Sequence, residues 1–200
     1  MVVGRFELAG FPRKVLIMTE NEFEKKFIIN LVQLEKVSDF LKCFEAENSV
    51  QINYYYDTPN EVFRGHNITC RIRQKNELLV GTVKKHFVDG ECSVERHFKI
   101  RDLPYRMTVD GEKLILKGQL ITFRTKYLVS ESIELVLDKN IYLGVVDYEL
   151  ELEYKVGHKK EAEELINELL KRIANGKIEK NSLSKSERFF RKLNSIDIMQ

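Results

Sequence analysis

The chain has 200 residues, 43% of them hydrophobic, enough for one compact domain with a sizeable core. Lysine and arginine number 33 against 31 aspartates and glutamates, a net charge of +2, so no global field favours extended nucleic acid or a membrane surface. Cys43, Cys70 and Cys92 form no CxxC pair, which points to neither a disulfide framework nor a zinc site, and fits reduced, partly buried thiols in a cytoplasmic protein.

Residues 1–17 carry Arg5, Glu7, Arg13 and Lys14 among their apolar residues, which breaks the apolar run a secretory signal needs, and no stretch is long enough to cross a bilayer. They are read as an N-terminal extension or an extra strand ahead of a single domain over 18–200. A strand predicted over 14–29 contains Glu22-Phe23-Glu24-Lys25-Lys26. Alternation puts residues 22, 24 and 26 on one face and Lys25 on the other. Two carboxylates beside an ammonium make a poor core but a good seat for a divalent metal holding a polyanion. Leu31, Leu34, Val37, Phe40, Leu41 and Phe44 then predict an amphipathic helix over 31–46.

Seven more strands are predicted, over 51–57, 67–74, 77–87, 91–100, 119–128, 131–138 and 145–156. Asp57-Thr58-Pro59-Asn60, Asp89-Gly90, Asp110-Gly111 and Asp138-Lys139-Asn140 read as the turns between them. A helix follows over 159–175, with Ala162, Leu165, Ile166, Leu169, Leu170 and Ile173 on one side and a stop at Asn175-Gly176. A last helix covers 184–194, where Ser184 and Glu187 fit a capping box. The fold class is α+β, mainly β, and the spacing of the strands suggests a closed antiparallel barrel or a sandwich with flanking helices.

The strands segregate charge. Thr69, Arg71 and Arg73 alternate with Ile68, Cys70 and Ile72; Thr82 shares a face with Lys84, Arg124 with Lys126, and Glu134 with Val136 and Asp138. Asp147, Glu149, Glu151 and Glu153 line one side of the last strand. A solvated sheet face usually mixes signs and small polar residues, whereas like charges repeated along one strand repel unless something opposes them. An eight-stranded barrel resolves this by setting basic strands across a lumen from acidic ones. Arg forks and Lys suit phosphate, and carboxylates suit Mg²⁺ or Mn²⁺.

These residues resemble the CYTH domain, or triphosphate tunnel metalloenzyme, family. The resemblance runs through Glu22-x-Glu24-x-Lys26, Tyr55-Tyr56-Asp57-Thr58-Pro59, Arg71-Ile72-Arg73, Thr82-Val83-Lys84 and Glu95. It continues with Arg124, Leu137-Asp138-Lys139, Leu143-Gly144 and Tyr148-Glu149-Leu150-Glu151, spanning about residues 20–190 in the family's order. It implies an eight-stranded closed antiparallel barrel that binds a triphosphate-containing small molecule and hydrolyses it with Mg²⁺ or Mn²⁺. By the same resemblance Glu22 and Glu24 ligand metal with Glu149 or Glu151, and Lys26, Arg71, Arg73, Lys84 and Arg124 hold phosphate. Lys126 joins them by sharing a face with Arg124, and Asp138 sits near the metal or positions water. Glu95, Glu134 and Glu153 are further acidic candidates, and the register leaves open which pair of Glu149, Glu151 and Glu153 reaches the metal.

Lys185 and Arg188 resemble the basic residues of the family's terminal helix, where such a residue closes a tunnel mouth and contacts substrate; the alternative is a solvated surface. His66, His86, His97 and His158 lack metal-ligand spacing, and Tyr54, Tyr55 and Tyr56 fit packing of a strand and its turn better than base stacking. The resemblance implies a triphosphatase acting on inorganic triphosphate or a nucleoside or thiamine triphosphate, as a monomer or homodimer. The alternatives are a class IV type adenylyl cyclase and a non-catalytic polyphosphate- or nucleotide-binding module.

Overall fold

A computed structural model describes residues 22–86, 93–173 and 183–198, so the segment 1–17, Cys92 and the turns expected at 89–90 and 175–176 lie outside the described residues. The elements in chain order are β1 (Glu22–Ile29), α1 (Leu31–Leu41), β2 (Glu45–Asp57), α2 (Val62–Gly65), β3 (Ile68–Lys75) and β4 (Leu78–His86). They continue with β5 (Ser93–Lys99), β6 (Arg106–Val109), β7 (Glu112–Ser130), β8 (Ile133–Tyr142), β9 (Val145–Lys155), α3 (Lys159–Ile173) and α4 (Lys185–Asp197). The strands hydrogen-bond in the order β1-β9-β8-β7-β2-β3-β4-β5, with β6 on β7.

The sheet departs from the expectation in its strand number. It has nine strands among the described residues rather than eight, and the hydrogen-bonded order runs from β1 to β5 without closing, so hydrogen bonds do not make it the closed barrel expected. The ninth strand is β6, a four-residue partner of β7 reached through Asp110 and Gly111, which both take positive φ (51° and 82°) as a tight hairpin turn requires. The expected turn at 138–140 is also absent. β8 runs on to Tyr142, and the chain reverses at Leu143-Gly144, where φ is 45° and 76°. The helix expected over 31–46 stops at Leu41, and Glu45 already belongs to β2.

Backbone contacts divide the chain into two compact units. The larger holds residues 22–53 and 119–198 of those described. One face of its β1, β8 and β9 is apolar, and it packs with α1 and α3 into a core containing Phe27, Leu135, Leu137, Leu150, Leu152, Ile166 and Leu169. Period-two strands and period-3.6 helices thus meet on their apolar sides. Lys25, on the α3 side of β1, pairs with Glu163 at 2.7 Å. Asn30 caps α1, its side chain accepting from the Gln33 N–H at 2.9 Å while Gln33 reaches back to the Asn30 N–H.

The smaller unit is Tyr54–Gly118. Its core contains Tyr56, Phe63, Cys70, Ile72, Val83, Val109 and Leu114. The Asp57 carboxylate is 1% exposed and accepts from the backbone N–H groups of Thr58, Phe63 and Arg64 at 2.7, 2.9 and 3.0 Å, which fixes the turn into α2. Tyr55 and Tyr56 are buried, and the Tyr56 hydroxyl donates to the Pro104 carbonyl at 2.6 Å. Of the described thiols Cys70 is buried and pushed up to about 12 by that burial, whereas Cys43 is exposed rather than partly buried. No helix among the described residues is long and apolar enough to cross a membrane.

Candidate metal centre

The polar face of the larger unit's sheet is built row by row. β9 offers Asp147, Glu149, Glu151 and Glu153, and β8 sets Asn140, Asp138, Val136 and Glu134 opposite them. β1 sets Lys26 opposite Glu151 and Glu24 opposite Glu153, and β7 sets Arg124 opposite Asp138. Side chains on facing positions of antiparallel strands lie within about 5.5 Å at Cβ, so these rows concentrate carboxylates. Oxygens of Asp138, Glu149 and Glu151 all fall within 4.8 Å of one another. The three residues are 0%, 0% and 3% exposed.

Three partly buried cations answer them. Arg124 grips Asp138 with a two-point fork, Nε to Oδ1 at 2.8 Å and Nη2 to Oδ2 at 2.7 Å, and Nη2 also donates to Glu151 Oε2 at 2.7 Å. Lys185, the first residue of α4, brings its Nζ to 2.9 Å from Asp138, 2.5 Å from Glu149 and 2.6 Å from Glu151. One turn on, Arg188 donates to Asp147 at 3.0 Å and to Glu149 at 3.0 Å. Ser184 caps α4 through the Glu187 N–H at 3.2 Å, which holds Lys185 and Arg188 on the side facing β9.

Charge pairing wins over desolvation here. Burial alone would raise the Glu151 carboxyl, yet Lys185, Arg124 and Lys26 hold it far below the usual carboxylate range. Burial would likewise lower the Lys185 ammonium and the Arg124 guanidinium, but the surrounding carboxylates push both up. Glu153 goes the other way: burial and the neighbouring Glu151 raise it against the pull of Arg124 and Lys126.

The remaining candidates of this unit lie around that cluster. Lys26 pairs with Glu24 at 2.8 Å, Glu24 being 45% exposed at its side chain, and Lys126 pairs with Glu134 at 2.5 Å. Glu22 begins β1, but its side chain lies outside the described residues. The convergent acids are therefore Asp138, Glu149 and Glu151, and Glu24 is not among them. Lys185 and Arg188 touch carboxylates here, where the sequence suggested phosphate. Asp147 went unassigned in the sequence although it shares the Glu-x-Glu parity; Asn140 donates to it at 2.8 Å and so does the Tyr142 hydroxyl at 2.8 Å.

In the smaller unit β3, β4 and β5 align Arg71, Thr82 and His97 in one row, and Thr69, Lys84 and Glu95 in the next. Lys84 pairs with Glu95 at 2.6 Å, and Arg73 lies two residues along β3 from Arg71. Burial would raise Glu95, but Lys84, Arg71 and His97 hold it below the usual carboxylate value. His97, set aside in the sequence, has Nδ1 3.1 Å from the Thr82 hydroxyl and Nε2 3.5 Å from Glu95. Its parity with Glu95 was the available signal. The Nε of Arg71 is buried without a hydrogen-bond partner.

Comparison with known proteins shows the family and the fold. The sequence pattern of the CYTH domain family matches residues 20–190. A Bacillus subtilis (strain 168) protein named "Putative triphosphatase YjbK" is 26% identical over 148 residues, covering 67% of this chain and 77% of that protein. Among the solved structures that share the fold are the following two. One is a Bacillus halodurans protein described as a "putative adenylate cyclase", with TM-score 0.66 and 23% identity over 86% of this chain and 98% of that one. The other is a Hippeastrum protein, HpAC1, described as a "putative adenylyl cyclase" with a dominant triphosphatase activity, with TM-score 0.67 and 19% identity over 85% of this chain and 94% of that one.

Proposed function

The chain belongs to the CYTH domain family, and from that premise we propose that it is a metal-dependent triphosphatase of the tunnel type, hydrolysing the terminal phosphoanhydride of inorganic triphosphate or a small organic triphosphate. The observation that carries the reading is the convergence of Asp138, Glu149 and Glu151 within 4.8 Å in a buried position. Their all-oxygen donor set suits Mg²⁺ or Mn²⁺, and the ammonium of Lys185 already shows that the three oxygens accommodate a cation between them. The name borne by the Bacillus subtilis relative supports the same activity.

Asp138, Glu149 and Glu151 are the proposed metal ligands, with Glu22 and Glu24 added on the family resemblance. A divalent ion bound there supplies charge neutralisation and a more acidic water. Lys26, Arg124 and Lys126 are the proposed phosphate contacts in the larger unit, and Arg71, Arg73 and Lys84 those in the smaller. Arg124 is held ready by its fork to Asp138, and Asp138 orients the attacking water. That water adds to the terminal phosphorus and releases its proton to solvent as the bridging P–O bond breaks, and diphosphate leaves with its new charge offset by Lys26 and Arg124. On the reading of its cysteines as reduced thiols, the protein is proposed to act in the cytoplasm.

The test is product analysis. Purified protein supplied with inorganic triphosphate and Mg²⁺ or Mn²⁺ should release orthophosphate and diphosphate, and a chelator should stop it. Cyclic AMP from ATP would replace the hydrolase with a cyclase. Tight triphosphate binding without turnover under any divalent ion would leave a binding module.

A further inference from the structure

Lys185 is a lysine in a cation's seat. Its Nζ lies 2.9 Å from Asp138 Oδ2, 2.5 Å from Glu149 Oε2 and 2.6 Å from Glu151 Oε1. Those are the three residues whose oxygens gather within 4.8 Å. An ammonium and a divalent ion cannot both occupy a space of that size. Arg124 and Arg188 offset part of the charge of the three carboxylates from outside, and a cation between them offsets the rest.

We propose that Lys185 is an internal counter-cation, a latch that fills the acidic seat while no metal is bound and is expelled when Mg²⁺ or Mn²⁺ enters. The proposal rests on reading Asp138, Glu149 and Glu151 as metal ligands. Several features make the exchange feasible. Lysine carries a compact charge on a flexible stem and leaves more readily than a forked arginine. Lys185 is the first residue of α4, whose start is held by the Ser184–Glu187 capping box, so the side chain can swing while the helix keeps its place. Its side chain is 13% exposed, so its path to solvent is short. The rest of α4 stays anchored through Arg188 on Asp147 and Glu149, and through the buried rings of Phe189 and Phe190. The movement is therefore the swing of one side chain, with at most the first helical turn. By linkage, whatever draws Lys185 outward strengthens metal binding by the same factor that metal favours the outward position.

The experiment uses the full chain and Mn²⁺ as the probe. Mn²⁺ affinity is measured by calorimetry for the wild type and for Lys185→Gln. Removing the competitor should tighten binding by about tenfold or more, the inverse of the fraction of protein whose seat is open. It should also enlarge the rise in melting temperature on adding Mn²⁺, because the metal-free variant has lost its buried counter-charge. A second measurement needs no variant: labelling of Lys185 by an amine-reactive ester, read by mass spectrometry, should accelerate about tenfold when Mn²⁺ saturates the wild type. Equal or weaker affinity in Lys185→Gln, or a Lys185 that stays protected in the Mn²⁺-bound wild type, overturns the latch. If wild-type turnover of triphosphate still requires Mn²⁺ in that case, the latch alone falls. If neither protein binds Mn²⁺ and a chelator leaves hydrolysis untouched, the metal reading falls and takes the latch with it.

Discussion

Asp138 exposes none of its surface, and its two oxygens are met by the fork of Arg124 and the ammonium of Lys185. A buried charge stripped of its partner costs far more than the pair gained in forming. Arg124→Gln should therefore lower stability by about 3–5 kcal/mol, measured by urea unfolding. Glu151 sits between Arg124 and Lys185 and opposite Lys26. Glu151→Gln keeps the shape but removes the charge, and turnover of inorganic triphosphate should fall by about 10²–10³-fold, the scale of losing one electrostatic group in a reacting site. Binding of the triphosphate should change much less, and steady-state kinetics beside equilibrium titration separates the two.

Elements behave as their local chemistry dictates. β4 and β5 pair Gly81 with Phe98, and the ring of Phe98 lies over the glycine so closely that an added Cβ would collide with it. Gly81→Ala should cost about 1–3 kcal/mol, as overpacking does, visible as a lower urea midpoint. The same strands hold the Lys84–Glu95 pair, whose carboxyl lies below the usual value despite its burial. A depressed carboxylate stabilises fully above its unfolded pKa, about 4.3, and the contribution drains away as pH falls through the lowered folded value. Urea unfolding from about pH 6 to about pH 3 should thus show the wild type losing more stability than Glu95→Gln. Most of these strands were readable from period-two alternation, because that pattern is local. β6 was not: four residues, Arg106–Val109, with one buried side chain carry too little alternation to register.

At the scale of the molecule, the acidic seat links folding to metal. Mn²⁺ at about a hundredfold excess over its Kd should stabilise the protein by about 2.7 kcal/mol, read as a raised melting temperature that Glu151→Gln largely loses. The sequence by itself determined the mainly-β class and the charged and apolar parity of each strand, since side-chain direction along a strand follows from residue number alone; the family resemblance, not parity, put Arg124, Asp138, Glu149 and Glu151 on one list of site residues. Only the tertiary structure decided which acids meet. Strand pairing sets the register, and it puts Asp138 beside Glu149 but Glu24 beside Glu153, one step from the cluster. It also decided that, among the described residues, the hydrogen-bonded sheet runs from β1 to β5 without closing. The seat of Lys185 belongs to that second kind of fact. It lies 34 residues from Glu151 in the chain, and nothing periodic in the sequence between them says where the first turn of α4 must land.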